Sequence, residues 1–125
     1  MLDMYVDKIH NAHIYDLAIE TPIIPAPTIS SLLRNEILIK REDLQSVFSF
    51  KVRGAYNKLL NLPKEQLDRG VIAASAGNHA QGVAQAANKM QVEATIVMPT
   101  TTPQIKVNAV RQRGAQVVLV GDDFY

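Results

Sequence analysis

The sequence predicts an α/β fold: an open parallel sheet with helices on both faces, in three αβα layers. Three observations predict it. Residues 71–74, 94–98 and 116–120 are short, nearly continuous apolar runs, as expected of strands covered on both sides. Helical patterns separate them, so the order is strand, helix, strand, helix, strand. The 125 residues, 47% hydrophobic and 20% charged, suffice for one domain with a core and are too few for two. Right-handed crossovers then set the hand of the sheet. In such sheets, ligands gather beyond the carboxyl ends of the strands.

Residues 3–20 read as an amphipathic helix with Tyr5, Ile9, Ala12, Ile14 and Leu17 on its apolar side. Residues 21–27 carry three prolines, which fix the backbone and remove donors, so this is a connector. Residues 35–40 form a strand around Ile37, Leu38 and Ile39. Residues 51–61 form a helix with Ala55, Tyr56, Leu59 and Leu60 as its apolar stripe and Ser49 as N-cap. A short helix follows over 63–70, opened by Pro63 and stopped by Gly70. After the strand at 71–74, Ala80, Val83, Ala84 and Ala87 share one face of the next helix, small enough to lie close to a sheet. Pro103 opens the last helix and Gly114 ends it. Two regions result: 1–35, a helix and connector, and 36–125, the α/β domain.

The formal net charge of +1 gives no reason to expect nucleic acid or an anionic membrane as partner. The absence of cysteine excludes a disulfide framework and thiolate metal sites, and fits a cytoplasmic location. The N-terminus lacks the basic-then-apolar pattern of a signal peptide. No apolar run approaches the roughly 20 residues of a membrane span. His10 and His13 stand three apart, but no further ligands accompany them in a recognisable pattern, so no metal site is expected. No Gly-x-Gly-x-x-Gly or Walker pattern occurs.

Two stretches carry chemistry. The first is Ser49-Phe50-Lys51-Val52-Arg53-Gly54-Ala55. Lys51 falls where an extended segment gives way to a helix. The helix dipole and burial there both disfavour an ammonium ion, and a neutral amine is what Schiff-base formation requires. Taken alone, most lysines at such a position are solvated. The second is Ser75-Ala76-Gly77-Asn78-His79, a loop leading from strand to helix. Backbone N–H groups at a helix start favour an anion, and Gly77 allows close approach. The plainer reading is a helix capped by Ser75 or Asn78.

These stretches, with Lys40-Arg41-Glu42-Asp43-Leu44-Gln45, Val47-Phe48 and the continuation Ala80-Gln81-Gly82, resemble the N-terminal part of the threonine dehydratases (threonine ammonia-lyases). Those are fold-type II pyridoxal-phosphate enzymes. The resemblance runs from about Thr21 to the end of the chain. Val47-Phe48 resembles the biosynthetic branch, and Ser46 stands where a proline is common.

The resemblance implies conversion of L-threonine to 2-oxobutanoate and ammonia in isoleucine biosynthesis, with pyridoxal 5'-phosphate as cofactor and an oligomeric enzyme. Lys51 would hold the cofactor as a Schiff base and then act as general base. Phe50 would pack beside its ring, and Asn78 would bond the ring hydroxyl. Ser75, Gly77, Asn78 and His79 would take the substrate carboxylate. Residues 40–43 would shape a wall of the entrance. Arg53 and Gly54 would serve the helix and its contacts.

No two glycines lie within four residues of each other, so the family's glycine-rich phosphate loop is not in this sequence. Nor is the partner of the pyridine nitrogen. The expectation is an N-terminal piece, the small-domain part, of a longer enzyme. Serine dehydratase, serine racemase and threonine synthase share the same kinds of motif and remain alternatives, as does a non-catalytic, self-associating fragment.

Overall fold

A computed structural model describes residues 2–123 of the chain. Its α-helices are α1 (Leu2–His10), α2 (Pro27–Leu33), α3 (Lys51–Leu60), α4 (Lys64–Leu67), α5 (Asn78–Met90) and α6 (Gln104–Arg111). The strands are β1 (Ile23–Pro25), β2 (Leu38–Lys40), β3 (Val71–Ala74), β4 (Ala94–Met98) and β5 (Gln116–Leu119).

The expected parallel sheet is present, with β3, β4 and β5 adjacent in that order. Val71 pairs with Ala94, and Met98 with Leu119. Because the strand order follows the chain, right-handed crossovers put α5 and α6 on the same face. There Ile96, Met98, Val107 and Val110 are fully buried, with Ala80, Ala84, Ala86 and Ala87 of α5. These alanines let α5 lie close to the sheet, as their size predicts. α3 packs in turn against α5, the most extensive helix pair in the molecule.

Among the described residues, no second helical layer covers the other face of the sheet, where one was expected. Ile72 is 73% exposed, and Val118, two strands away, 45%. The residues between them, Thr95 and Val97, are only half-buried.

The N-terminal region departs further from expectation. The helix predicted over 3–20 stops at His10, where Asn11 donates to the Asp7 carbonyl through both its backbone N–H and its side chain. No residue of α1 is buried, so nothing there draws the helix onward. Ile14, Leu17 and Ala18 instead pack on Val47 and Val52 as irregular chain.

The proline-rich connector contains β1, paired antiparallel with β2 in the register Ile23–Lys40, Ile24–Ile39 and Pro25–Leu38. Two three-residue strands form a ribbon in which a proline is tolerated at the end. The strand predicted over 35–40 is therefore shorter, and α2, absent from the sequence reading, intervenes. Arg34, left-handed at φ 48°, ends α2.

Candidate active site

Lys51 is the first residue of α3. The helix forms because Val52, Ala55, Tyr56 and Leu59 make a buried stripe. Ahead of it, burial alternates: Gln45, Val47 and Ser49 point inward, whereas Ser46, Phe48 and Phe50 point outward. This alternation delivers the chain to Lys51 with Phe50 61% exposed beside it. The Lys51 Nζ lies 5.4 Å from the centre of the Phe50 ring, within cation–π range. Ser49 does not cap α3: Phe50 occupies the cap position in helical conformation, and the Ser49 Oγ is buried without a partner. The Lys51 side chain is exposed. The burial invoked for it from sequence is not supplied by the residues described.

The loop over 75–79 begins at the carboxyl end of β3. The Ser75 N–H donates to the Val97 carbonyl at 3.0 Å, which ties the loop to the sheet. The Gly77 N–H donates to the Ser75 Oγ at 3.3 Å. Neither Ser75 nor Asn78 caps α5; Gly77 precedes it with no side-chain cap. The first N–H groups of a helix of 13 residues are thereby left without a side-chain acceptor. A Cβ on Gly77 would meet no atom within 4 Å, so the space beside the loop is open. Asn78 and His79 are both exposed.

Gly82 brings the two stretches together. A Cβ built there would lie 3.0 Å from the Lys51 carbonyl carbon and oxygen and 3.2 Å from the Val52 nitrogen. The backbone of α5 therefore touches the backbone of α3 at the lysine itself. Gly82 follows Asn78 by four residues, so both lie on the face of α5 turned toward Lys51. A glycine inside a helical pattern was the available signal for this contact, since it costs stability unless close packing requires it.

Beside the lysine sits a charge network. Glu42 accepts from the Arg53 Nε at 2.8 Å and Nη2 at 2.9 Å, and from the Thr21 hydroxyl at 2.6 Å. The Arg53 Nη2 also donates to the Ile19 carbonyl at 2.9 Å, and its guanidinium lies 5.4 Å from the Tyr15 ring centre. Gln45, buried, bonds the Ile19 N–H and carbonyl. Lys40 donates to the Thr21 carbonyl, and Arg41 pairs with Asp43. Hydrogen bonds from Arg53 hold the Glu42 carboxyl down at about 2, and the same contact raises Arg53. Residues 40–43 thus fasten the N-terminal segment to the first turn of α3. Arg53 serves the helix contacts, as expected; its partner was not evident from sequence, eleven residues away across a turn.

His10 and His13 line a different hollow, of about 770 Å³, with Ile9, Ala12, Tyr15, Asp16 and Leu60. Among the described residues no group of three or more metal-binding side chains forms. No helix among them is long and apolar enough to cross a membrane.

The structure thus joins a parallel α/β sheet, a lysine at the start of α3 and an uncapped loop ahead of α5, with α3 and α5 touching at Gly82. Comparison with known proteins gives the particular family. The model of the pyridoxal-phosphate dependent enzymes matches residues 14–125, and the chain belongs to that family.

The chain is 56% identical over 120 residues to a biosynthetic, chloroplastic threonine dehydratase of Solanum lycopersicum, covering 96% of itself and 20% of that protein. It is 54% identical over 123 residues to a biosynthetic L-threonine dehydratase of Burkholderia multivorans, covering 96% of itself and 24% of it. Among solved structures, the processed form of threonine deaminase isoform 2 from Solanum lycopersicum superposes with a TM-score of 0.92 at 56% identity, over 98% of this chain and 34% of that one. Maize serine racemase gives 0.89 at 32% identity, over 95% and 37%. The fold is that of the fold-type II pyridoxal-phosphate enzymes. The chain spans about a fifth to a quarter of the curated relatives it matches.

The residues present fit one end of the cofactor. Lys51 carries an exposed amine that an aldehyde could reach, and the uncapped N–H groups beside open space at the start of α5 suit an anion. A phosphate cradle is not among them: Gly77 and Gly82, on one helix and its cap, are the nearest glycine pair.

Proposed function

We propose that this chain is the lysine-bearing part of a pyridoxal-phosphate-dependent threonine ammonia-lyase, which converts L-threonine to 2-oxobutanoate and ammonia for isoleucine biosynthesis. The observation that carries this reading is the close approach of the α5 backbone at Gly82 to the backbone of Lys51. Identity of 54–56% to biosynthetic threonine dehydratases supports the substrate class. A cytoplasmic location fits the cysteine-free sequence, although the relatives include enzymes named chloroplastic and mitochondrial.

Pyridoxal phosphate, when bound, supplies an electrophilic carbon for the substrate amine and a ring that accepts electrons. Lys51 would hold it through Nζ. As a free amine, that nitrogen would take the proton from the substrate α-carbon, a role worth typically 10²–10⁴-fold. The N–H groups at the start of α5, with Ser75, Gly77, Asn78 and His79, bind the substrate carboxylate. The Asn78 amide would hydrogen-bond the cofactor's ring hydroxyl, and Phe50 would pack beside the ring.

The likeness to serine racemase supports a second reading, in which serine is the substrate. Assay of threonine, serine and O-phosphohomoserine with the protein carrying this segment separates the two. Formation of 2-oxobutanoate from threonine, abolished by Lys51→Ala, is expected. Turnover of serine or O-phosphohomoserine in preference to threonine contradicts the proposal.

A further inference from the structure

We infer that Gly82 is a positioning residue: its missing side chain sets the distance between Lys51 and the anion-binding start of α5. The inference deepens the proposed function and rests on Lys51 being the reactive amine.

The atoms that a Cβ would meet at 3.0 Å belong to the Lys51 backbone, not to a side-chain tip that could turn aside. A methyl group there requires one helix to move against the other. Both helices are held elsewhere. α3 is fixed through fully buried Val52 and through Arg53, whose guanidinium is bonded to Glu42. α5 is fixed by Ala80, Ala84 and Ala86, all fully or almost fully buried. Movement therefore concentrates where the helices touch, at Lys51 and one turn below Asn78. That turn is about 5.4 Å, so a small tilt at Gly82 changes the separation of amine and loop directly. Gly54, in the same first turns of α3, has nothing within 4 Å of a built Cβ, which makes it a matched control.

The test uses two aldehydes with cyanoborohydride on the full chain. Each condenses with a lysine Nζ, losing water, and hydride from cyanoborohydride reduces the C=N bond to a secondary amine. Formaldehyde carries no anion; glyoxylate carries a carboxylate that the start of α5 can bind. Peptide mapping gives the modification of Lys51 relative to Lys58, the other lysine of α3. In the unsubstituted chain, glyoxylate is expected to favour Lys51 over Lys58 on the order of tenfold more than formaldehyde does, a proximity effect.

Gly82→Ala is expected to abolish that preference, with circular dichroism unchanged, and Gly54→Ala to retain it. No glyoxylate preference in the unsubstituted chain overturns the pairing of Lys51 with the loop. A preference that survives Gly82→Ala overturns the role of Gly82 alone, as does its loss in Gly54→Ala. If Gly82→Ala does not fold, the measurement is made in the Gly54→Ala background, which favours the helix. Failure to fold there too assigns Gly82 to folding and overturns the inference.

Discussion

Arg53 grips Glu42 with two parallel hydrogen bonds, Nε to Oε2 and Nη2 to Oε1, two residues beyond the lysine at the start of α3. The pair is mostly buried and joins segments eleven residues apart. The irregular stretch over 15–21 hangs on it through the Ile19 carbonyl and the Thr21 hydroxyl. Bidentate pairing of this kind fixes geometry as well as charge.

The pair predicts an acid-sensitive stability. The Glu42 carboxyl titrates at about 2 in the folded chain, lowered first by its bonds from Arg53, against an ordinary 4.5. Its contribution is fully present above about pH 4.5 and is lost as pH falls toward 2. Glu42→Gln should cost on the order of 2–3 kcal/mol at pH 7. Urea titrations of both proteins from pH 7 to 2 check this; the difference between them should shrink below pH 4.5. A difference independent of pH would assign the cost to packing.

Tyr56 predicts the opposite dependence. Its buried hydroxyl donates to the Asp16 Oδ2 at 2.6 Å, and desolvation, then that bond, push it up to about 12. The neutral form is favoured in the fold, so its stabilisation is present below pH 10 and lost as pH rises toward 12. Tyr56→Phe should cost about 1 kcal/mol at pH 7 and less at pH 11. Denaturant titration at both pH values reads the difference.

Phe48 holds a left-handed conformation, φ 55°, with its side chain 74% exposed. An aromatic residue gains little there from burial and bears the steric cost of that backbone region. Phe48→Asn should raise stability by about 1 kcal/mol, seen as a higher Tm. A lower Tm would show that the ring is held by contacts that outweigh the backbone strain.

The open sheet face predicts self-association. Ile72, Val118 and the half-buried Val97 between them form apolar surface that a second copy can cover. Sedimentation of the chain should show concentration-dependent dimers or larger species, reduced in an Ile72→Lys, Val118→Lys double variant. A clean monomer at all concentrations contradicts it.

The parts of the fold legible in the sequence were those set by local pattern. β3 is the run Val71-Ile72-Ala73-Ala74, and α3 runs from Lys51 to one residue short of its expected end, each carrying its own apolar period. Where tertiary contacts decide, local pattern misleads. α1 ends at His10 with none of its residues buried, while the continuation packs on Val47 and Val52 as irregular chain, and β1 arises among prolines because β2 offers a ladder. Ser49 looks like a cap by type, yet its hydroxyl is turned inward.

The same division holds for the site. Lys51 and the 75–79 loop stood out as motifs. The contact that joins them depends on the crossing of two helices, which no run of residues displays except through the oddity of Gly82 inside α5.

The central claim is that Lys51 is the amine that takes a bound aldehyde. It is tested most directly by treating the chain with pyridoxal phosphate, reducing with borohydride and mapping the labelled peptides. The account predicts label concentrated on the peptide containing Lys51, at low affinity, and lost in Lys51→Ala. Label spread evenly over Lys8, Lys58, Lys64 and Lys106, with Lys51 no more reactive than they are, would contradict it.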